Sequence, residues 1–335
     1  MRSHHIICLF IFSCFVSCQQ AQEQALLNLS STTVAKAGTE NMTTAAANIV
    51  FQSTDGGHSW QDISAGLPVD TKAEALFVVE GELLLGATDG IYQSNTAAKN
   101  INWEKEMYLQ RPLCAVSVAP AGVMAVSDNR RFFQKLKSTD VWMPIFTDFK
   151  GHFLRTVFTA KDGSIFIGSD SGLFKSTDGG KNWKHVMKNG WVIEMVESNG
   201  VLLCTTEDGI LRSTDGGESW DVVLNEGGVG IAVEVIEGGF ATITYNTESE
   251  TRRIRTSTDG GKTWQPIDAG LPPSSLISSI KQIGHYFYCG HPDGIFRSAD
   301  HGKTWELLLP TIGKKVFELS VSGEVIYAVL REGGC

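Results

Sequence analysis

The sequence has 335 residues, of which 42% are hydrophobic and 19% charged, and it carries a formal net charge of −9. That is ordinary globular composition with ample length for a core, and the acidic balance excludes the basic footprint of a nucleic-acid binder. A mildly acidic surface points to a soluble monomer and names no partner.

Arg2 is followed by an apolar run over residues 6–16. The run is too short to span a bilayer and has the form of a signal-peptide core. It ends in Phe15-Val16-Ser17-Cys18. That ending resembles the lipobox of bacterial lipoproteins, with Phe15 where Leu is usual. The resemblance implies that residues 1–17 are a signal and that Cys18 is lipidated. With Gln19 rather than Asp after the Cys, it also implies an outer-membrane address in the bacterial cell envelope. The lipid would be the sole membrane contact. Residues 18–47 form a tether rich in Gln, Ala, Ser and Thr, and residues 48–335 the folded domain.

The folded part opens on Ser53-Thr54-Asp55-Gly56-Gly57-His58-Ser59-Trp60, which returns as Ser176–Trp183, Ser213–Trp220, Ser257–Trp264 and, less faithfully, Ser298–Trp305. The start-to-start spacings from Ser176 are 37, 44 and 41 residues, and the 123-residue gap from Ser53 to Ser176 is three periods of 41. Two decayed copies fill that gap: Ser94 to Trp103 with an insertion, and Ser138-Thr139-Asp140 to Trp142 with a deletion. Seven units result, and of the eight tryptophans only Trp191 ends none of them.

The pattern S-x-D-x-G-x-x-W resembles the Asp box, or BNR repeat. Its chemistry is that of a turn. Ser and Asp side chains bond turn amides, Gly supplies positive φ, and the Trp buries a large ring on the next strand. Asp55, Asp178, Asp215, Asp259 and Asp300, with Trp60, Trp183, Trp220, Trp264 and Trp305, are therefore structural. One carboxylate per box is too few for a calcium loop, and no metal or cofactor is expected.

Between boxes the chain reads as short strands. Residues 153–159, 164–168, 173–175 and 183–187 form one set of four, broken by Lys161-Asp162-Gly163 and by the loop 169–172. Four strands per repeat predict an all-β, seven-bladed propeller with four-stranded antiparallel blades. The first box has only residues 48–52 before it, and the tail offers strands over 316–321 and 325–330. Pairing of the N- and C-terminal hairpins in one blade would close the ring and leave no exposed sheet edge.

Cys114, Cys204 and Cys289 lie in apolar strand patterns and read as inert core residues; with Cys335 they show no CxxC spacing. The eight histidines show no ligand spacing.

Loops between the second and third strands share one face with the links between blades. The less regular ones, residues 128–131 and 246–253, carry arginines that turn geometry does not require. Candidate binding residues are Arg130, Arg131, Glu248, Glu250, Arg252 and Arg253, suited to an acidic peptide or a sugar carboxylate. Trp191 is a further candidate, for stacking on a sugar, although such a ring more commonly fills space between blades.

Three Asp-box classes compete. Sialidases have six blades and an arginine motif before the first box, yet residues 19–52 contain no arginine, nor do residues 316–321. Xyloglucanase-type hydrolases resemble the chain in their boxes but pair two propellers. Photosystem II assembly and stability factors resemble it in blade count, length, boxes and lipoprotein signal, and sortilin-type propellers more distantly. The expectation is a non-catalytic, envelope-anchored scaffold for an unidentified protein. The alternative is a carbohydrate-active propeller, either a glycoside hydrolase or a glycan binder.

Overall fold

The computed structural model describes residues 48–98, 100–106, 113–127, 130–145, 149 and 151–332. The signal, Cys18 and the tether lie outside them, as do Asp128 and Cys335. The described strands number 28 and form seven four-stranded antiparallel sheets. No helix among the described residues is long and apolar enough to cross a membrane.

Blade one closes the ring as expected. Its inner strands Lys315–Ser322 and Val325–Glu332 come from the C-terminal part of the chain, its outer strands Val50–Ser53 and Gln61–Asp62 from the N-terminal part. Val50 pairs with Val329 and Ser53 with Ile326. Blades two to seven follow in chain order, over residues 73–105, 113–145, 154–187, 192–224, 227–266 and 279–310.

Each blade has the same gradient. The second strand is buried on both faces, as in Ile165–Ser169, so it reads as an unbroken run rather than an alternation. The fourth strand meets solvent and can be as short as Gln265–Pro266. Seven hydrophobic clusters fill the seven interfaces between neighbouring blades.

One box tryptophan enters each interface, packing on the preceding blade. Trp60, Trp103, Trp142, Trp183, Trp220, Trp264 and Trp305 each belong to a different cluster. The box is thus both the turn and the wedge of its blade. An aromatic of this size contributes more than any aliphatic to such a contact.

Ring closure does not abolish sheet edges, contrary to the sequence expectation. Each inner strand presents an edge to the central channel. At four of the seven blade-to-blade contacts a side chain from the neighbouring blade caps it. Ser117 Oγ accepts the Thr159 amide at 2.8 Å, Glu194 Oε2 the Val233 amide at 2.9 Å, and Ser279 Oγ the Leu319 amide at 3.0 Å. Ser320 Oγ donates to the Leu76 carbonyl at 2.7 Å. Capping satisfies amides that would otherwise face the channel without a partner.

Antiparallel order gives the ring two unlike rims. The boxes and the turns between first and second strands lie on the lower rim. The turns between second and third strands and the links between blades form the upper face.

Candidate functional site

The lower rim is self-contained at its intact boxes. Ser213 Oγ donates to Asp215 Oδ1 at 2.8 Å and accepts the Gly217 amide at 2.9 Å. Asp215 Oδ1 also accepts the Glu218 and Ser219 amides, both at 3.0 Å, and Oδ2 the Ser219 hydroxyl. Gly216 and Gly217 hold φ of 71° and 85°, values that a side chain would strain. Trp220 Nε1 donates to the Gly217 carbonyl at 3.1 Å.

These bonds hold the box carboxyls well below the usual range. Asp55, Asp178 and Asp300 fall to about 2, and Asp215 and Asp259 are lowered as well. The largest cause is the serine hydroxyl four residues on at Asp55 and Asp215, and the amide four residues on at Asp178, Asp259 and Asp300. A carboxylate so engaged is a poor proton acceptor at neutral pH.

The upper face is different across blades three to five. Arg130, in the turn after Gly122–Ser127, sets its guanidinium 4.7 Å from the centroid of the Phe153 ring. Phe153 is 46% exposed, an uncommon state for a phenyl ring. It precedes the inner strand Leu154–Thr159 rather than starting it. The Phe153 amide donates to Asp170 Oδ1 at 3.1 Å, which also accepts the Ser171 hydroxyl at 3.0 Å. His152 Nδ1 lies 2.7 Å from the same hydroxyl.

Arg155 is two residues further on, at a register shift between Leu154 and Thr156. The irregularity re-aims its side chain. Its guanidinium sits 5.5 Å from the centroid of the Trp191 ring, at the head of blade five. Trp191 is half-buried, so its ring serves both packing and surface. Two cation–aromatic pairs thus stand side by side on neighbouring blades. Arg131 is exposed at the start of Arg131–Leu136.

The sequence singled out Arg130, Arg131 and Trp191, and the structure sets Phe153 beside Arg130 and Arg155 beside Trp191. For Arg155 the available signal was an arginine inside an otherwise apolar inner strand.

The blade-six residues lie elsewhere and are differently employed. Arg252 Nη1 donates to the Ile277 carbonyl at 2.7 Å. Arg253 Nε donates to Asp268 Oδ2 at 2.6 Å, and Arg255 bridges Asp268 at 3.2 Å and Glu226 at 2.5 Å. Burial alone would raise the Asp268 carboxyl; hydrogen bonding from Arg253 and the charge of Arg255 overcome it and lower it. Arg253 therefore belongs to an ion network that ties the blade-six hairpin to the link after Gln265–Pro266. Glu248 and Glu250 are exposed at the tip of that hairpin, Glu250 at φ 55°.

His291 is engaged too. Its Nδ1 accepts the Asp293 amide at 3.1 Å, so Nε2 carries the proton donated to the Pro272 carbonyl at 3.0 Å. Burial lowers its pKa. Cys204 and Cys289 are buried, and burial pushes both thiols up, whereas Cys114 is half-buried.

The channel holds charges that no loop pattern foretold. Inner strands of blades five, six, seven and one contribute Glu194, Glu234, Lys281 and Glu318. Lys281 pairs with Glu234, and Arg331 with Glu318. The Lys281 and Glu234 side chains are surrounded by protein yet keep 20% and 26% exposure along the channel. Burial pushes Glu194 up to about 7, against the opposing charge of Lys281. Glu234 is thus bound to a cation and Glu194 to the Val233 amide, which are structural tasks.

Comparison with known proteins agrees with this architecture. The family model for the BNR/Asp-box repeat matches residues 255–266, the blade-six box. No curated protein matches the chain. Among solved structures it is similar to YCF48 bound to D1 peptide, at 14% identity and a TM-score of 0.58, over 79% of this chain and 95% of that one. It is similar to a GH74 xyloglucanase from Xanthomonas campestris at 15% identity and 0.62, over 82% of this chain and 53% of the enzyme, so it spans about half of that protein. A virginiamycin B lyase from Staphylococcus aureus is similar at 13% and 0.61, over 78% and 95%. The chain carries BNR/Asp-box repeats on a seven-bladed propeller, and identities this low speak for the fold alone.

Proposed function

We propose that the protein is a non-catalytic scaffold whose upper face takes a segment of a partner protein. The observation that carries this is the paired arrangement of Arg130 on Phe153 and Arg155 on Trp191. Each pair offers a rigid aromatic plane beside a cation, the side chains over-represented where proteins bind one another. The matching partner segment carries carboxylates and an apolar or aromatic side chain. YCF48 with its D1 peptide is a precedent for a peptide on this architecture. We further propose that residues 1–17 are removed, that Cys18 bears the lipid and that residues 18–47 tether the propeller to the bacterial outer membrane.

A hydrolase needs a free carboxylate pair beside a cleft. In the central channel, among the described residues, Glu194 and Glu234 come closest to one, and both have structural partners. That favours the scaffold over a glycoside hydrolase.

Affinity capture from envelope extracts with the full-length lipoprotein tests the proposal. A stoichiometric partner should be retained by the parent chain and lost with Arg130→Glu/Arg155→Glu. Equal capture by both proteins sinks it. Cys18→Ser should move the protein from the membrane to the soluble fraction.

A further inference from the structure

The two decayed boxes stand side by side, and they decay in opposite directions. Ser94 and Trp103 are nine residues apart in blade two, where an intact box has seven; Ser138 and Trp142 in blade three are only four apart. Ser94 Oγ still closes the longer loop, donating to the Asn102 carbonyl at 2.8 Å. A long loop beside a short one leaves a step in the lower rim. The step is a cleft of about 350 Å³.

Its lining is not that of a turn. Gln93 and Glu104 are cross-strand partners, and their side chains make no hydrogen bond among the described residues. Asp140 is the Asp of its decayed box, yet it does not hold the turn as the intact ones do. Lys135 Nζ, on a side chain only 6% exposed, binds Asp140 at 2.8 Å and Glu82 at 3.0 Å. The buried ammonium fixes two carboxylates at the edge of the cleft, and a carboxylate oxygen so bound can still accept a further hydrogen bond. Gln93 and Asn102 supply amides, and Asn95, whose Oδ1 already accepts the Ala97 amide at 2.8 Å, adds the donors of its NH2 group.

We propose that this cleft binds a neutral saccharide. Amides present a donor and an acceptor at fixed spacing, and oriented carboxylates accept from hydroxyls, which together match vicinal diols. Among the described residues of the cleft, three carboxylates stand with one ammonium, a balance that repels anionic sugars. Lys135 already neutralises much of Glu82 and Asp140, which disfavours a metal ion or a polycation. Among the described residues no aromatic ring lines the cleft, so affinity rests on hydrogen bonds and is on the order of millimolar. The site is separate from the upper face and does not depend on the scaffold role proposed for it.

Saturation-transfer NMR on the full chain with neutral gluco-, xylo- and manno-oligosaccharides tests it. Signal is expected for at least one series. Gln93→Ala/Glu104→Ala should weaken that signal about tenfold at unchanged Tm, and Arg155→Glu should leave it intact. The proposal is overturned by silence across the panel, by an unchanged signal in the double variant, or by loss of signal in Arg155→Glu. Displacement of the sugar by oligolysine at equal concentration would also overturn it, assigning the cleft to a basic segment.

Discussion

The lower rim and the upper face are cut from the same blades and differ in how much of their chemistry is used up by folding. At an intact box the Ser and Asp side chains are both engaged locally: Ser257 meets Asp259 and the Gly261 amide, and Asp259 meets Lys262 and Thr263. On the upper face of blades three to five, Phe153 is left exposed and two guanidiniums rest on rings. Repetition therefore marks stability, and the recognition proposed for this protein falls where the repeat is departed from. Glycans or peptides are more reasonably sought where the repeat fails than where it is most visible.

The largest test of this contrast removes a wedge. Trp220→Ala empties the interface of blades four and five, where the ring packs against a cluster containing Phe166 and Leu202. A loss of about 3–5 kcal/mol is expected by denaturant titration. A loss below about 1 kcal/mol would mean that the box tryptophans are not the wedges argued here. Gly290→Ala attacks the same principle from the backbone, since a Cβ there would lie 2.1 Å from the Phe317 carbonyl of blade one. About 1–3 kcal/mol of destabilisation follows from such overpacking.

Blade number, the closing blade and the boxes were legible because each rests on a local, repeated pattern. Ser176 to Trp183 announces its turn in eight letters, and the spacing counts the blades. The site was half legible. Arg130 and Trp191 stood out as residues that no turn requires. Arg155 did not, because its exposure comes from a register shift that depends on pairing with Ile165–Ser169. Arg253 looked free from sequence for the converse reason. Its partner Asp268 lies beyond the next box, in the link to blade seven. The channel charges were visible as lone Glu or Lys in apolar strands, such as Glu194 in Val192–Ser198, but their convergence is a property of the closed ring.

A smaller effect separates the channel from both rims. Glu194 has its pKa raised to about 7 from an ordinary 4.5, chiefly by burial. The folded state then holds its proton more tightly than the unfolded state does. Its contribution is full below pH 4.5 and is lost as pH rises through 7. Stability should fall across that window by roughly 1–3 kcal/mol. Glu194→Gln, which keeps an acceptor for the Val233 amide, should flatten the slope. An unchanged slope in the variant would assign the titration elsewhere.

The smallest effect belongs to the surface residues, and it is the sharpest test of the comparison. The box carboxyls at Asp55, Asp178 and Asp300 sit at about 2 against an ordinary 3.8, so their contribution is present above pH 4 and fades as pH falls through 2. Asp178→Asn should shrink that acid loss and lower Tm at pH 7, because the Lys181 and Asn182 amides depend on the Asp178 carboxylate. Arg130→Glu/Arg155→Glu should change stability by no more than about 0.5 kcal/mol, as for other surface substitutions. If the upper-face pair lowered Tm as much as the box variant did, the two faces would be equally structural, and the case for recognition at blades three to five would fall with the contrast that supports it.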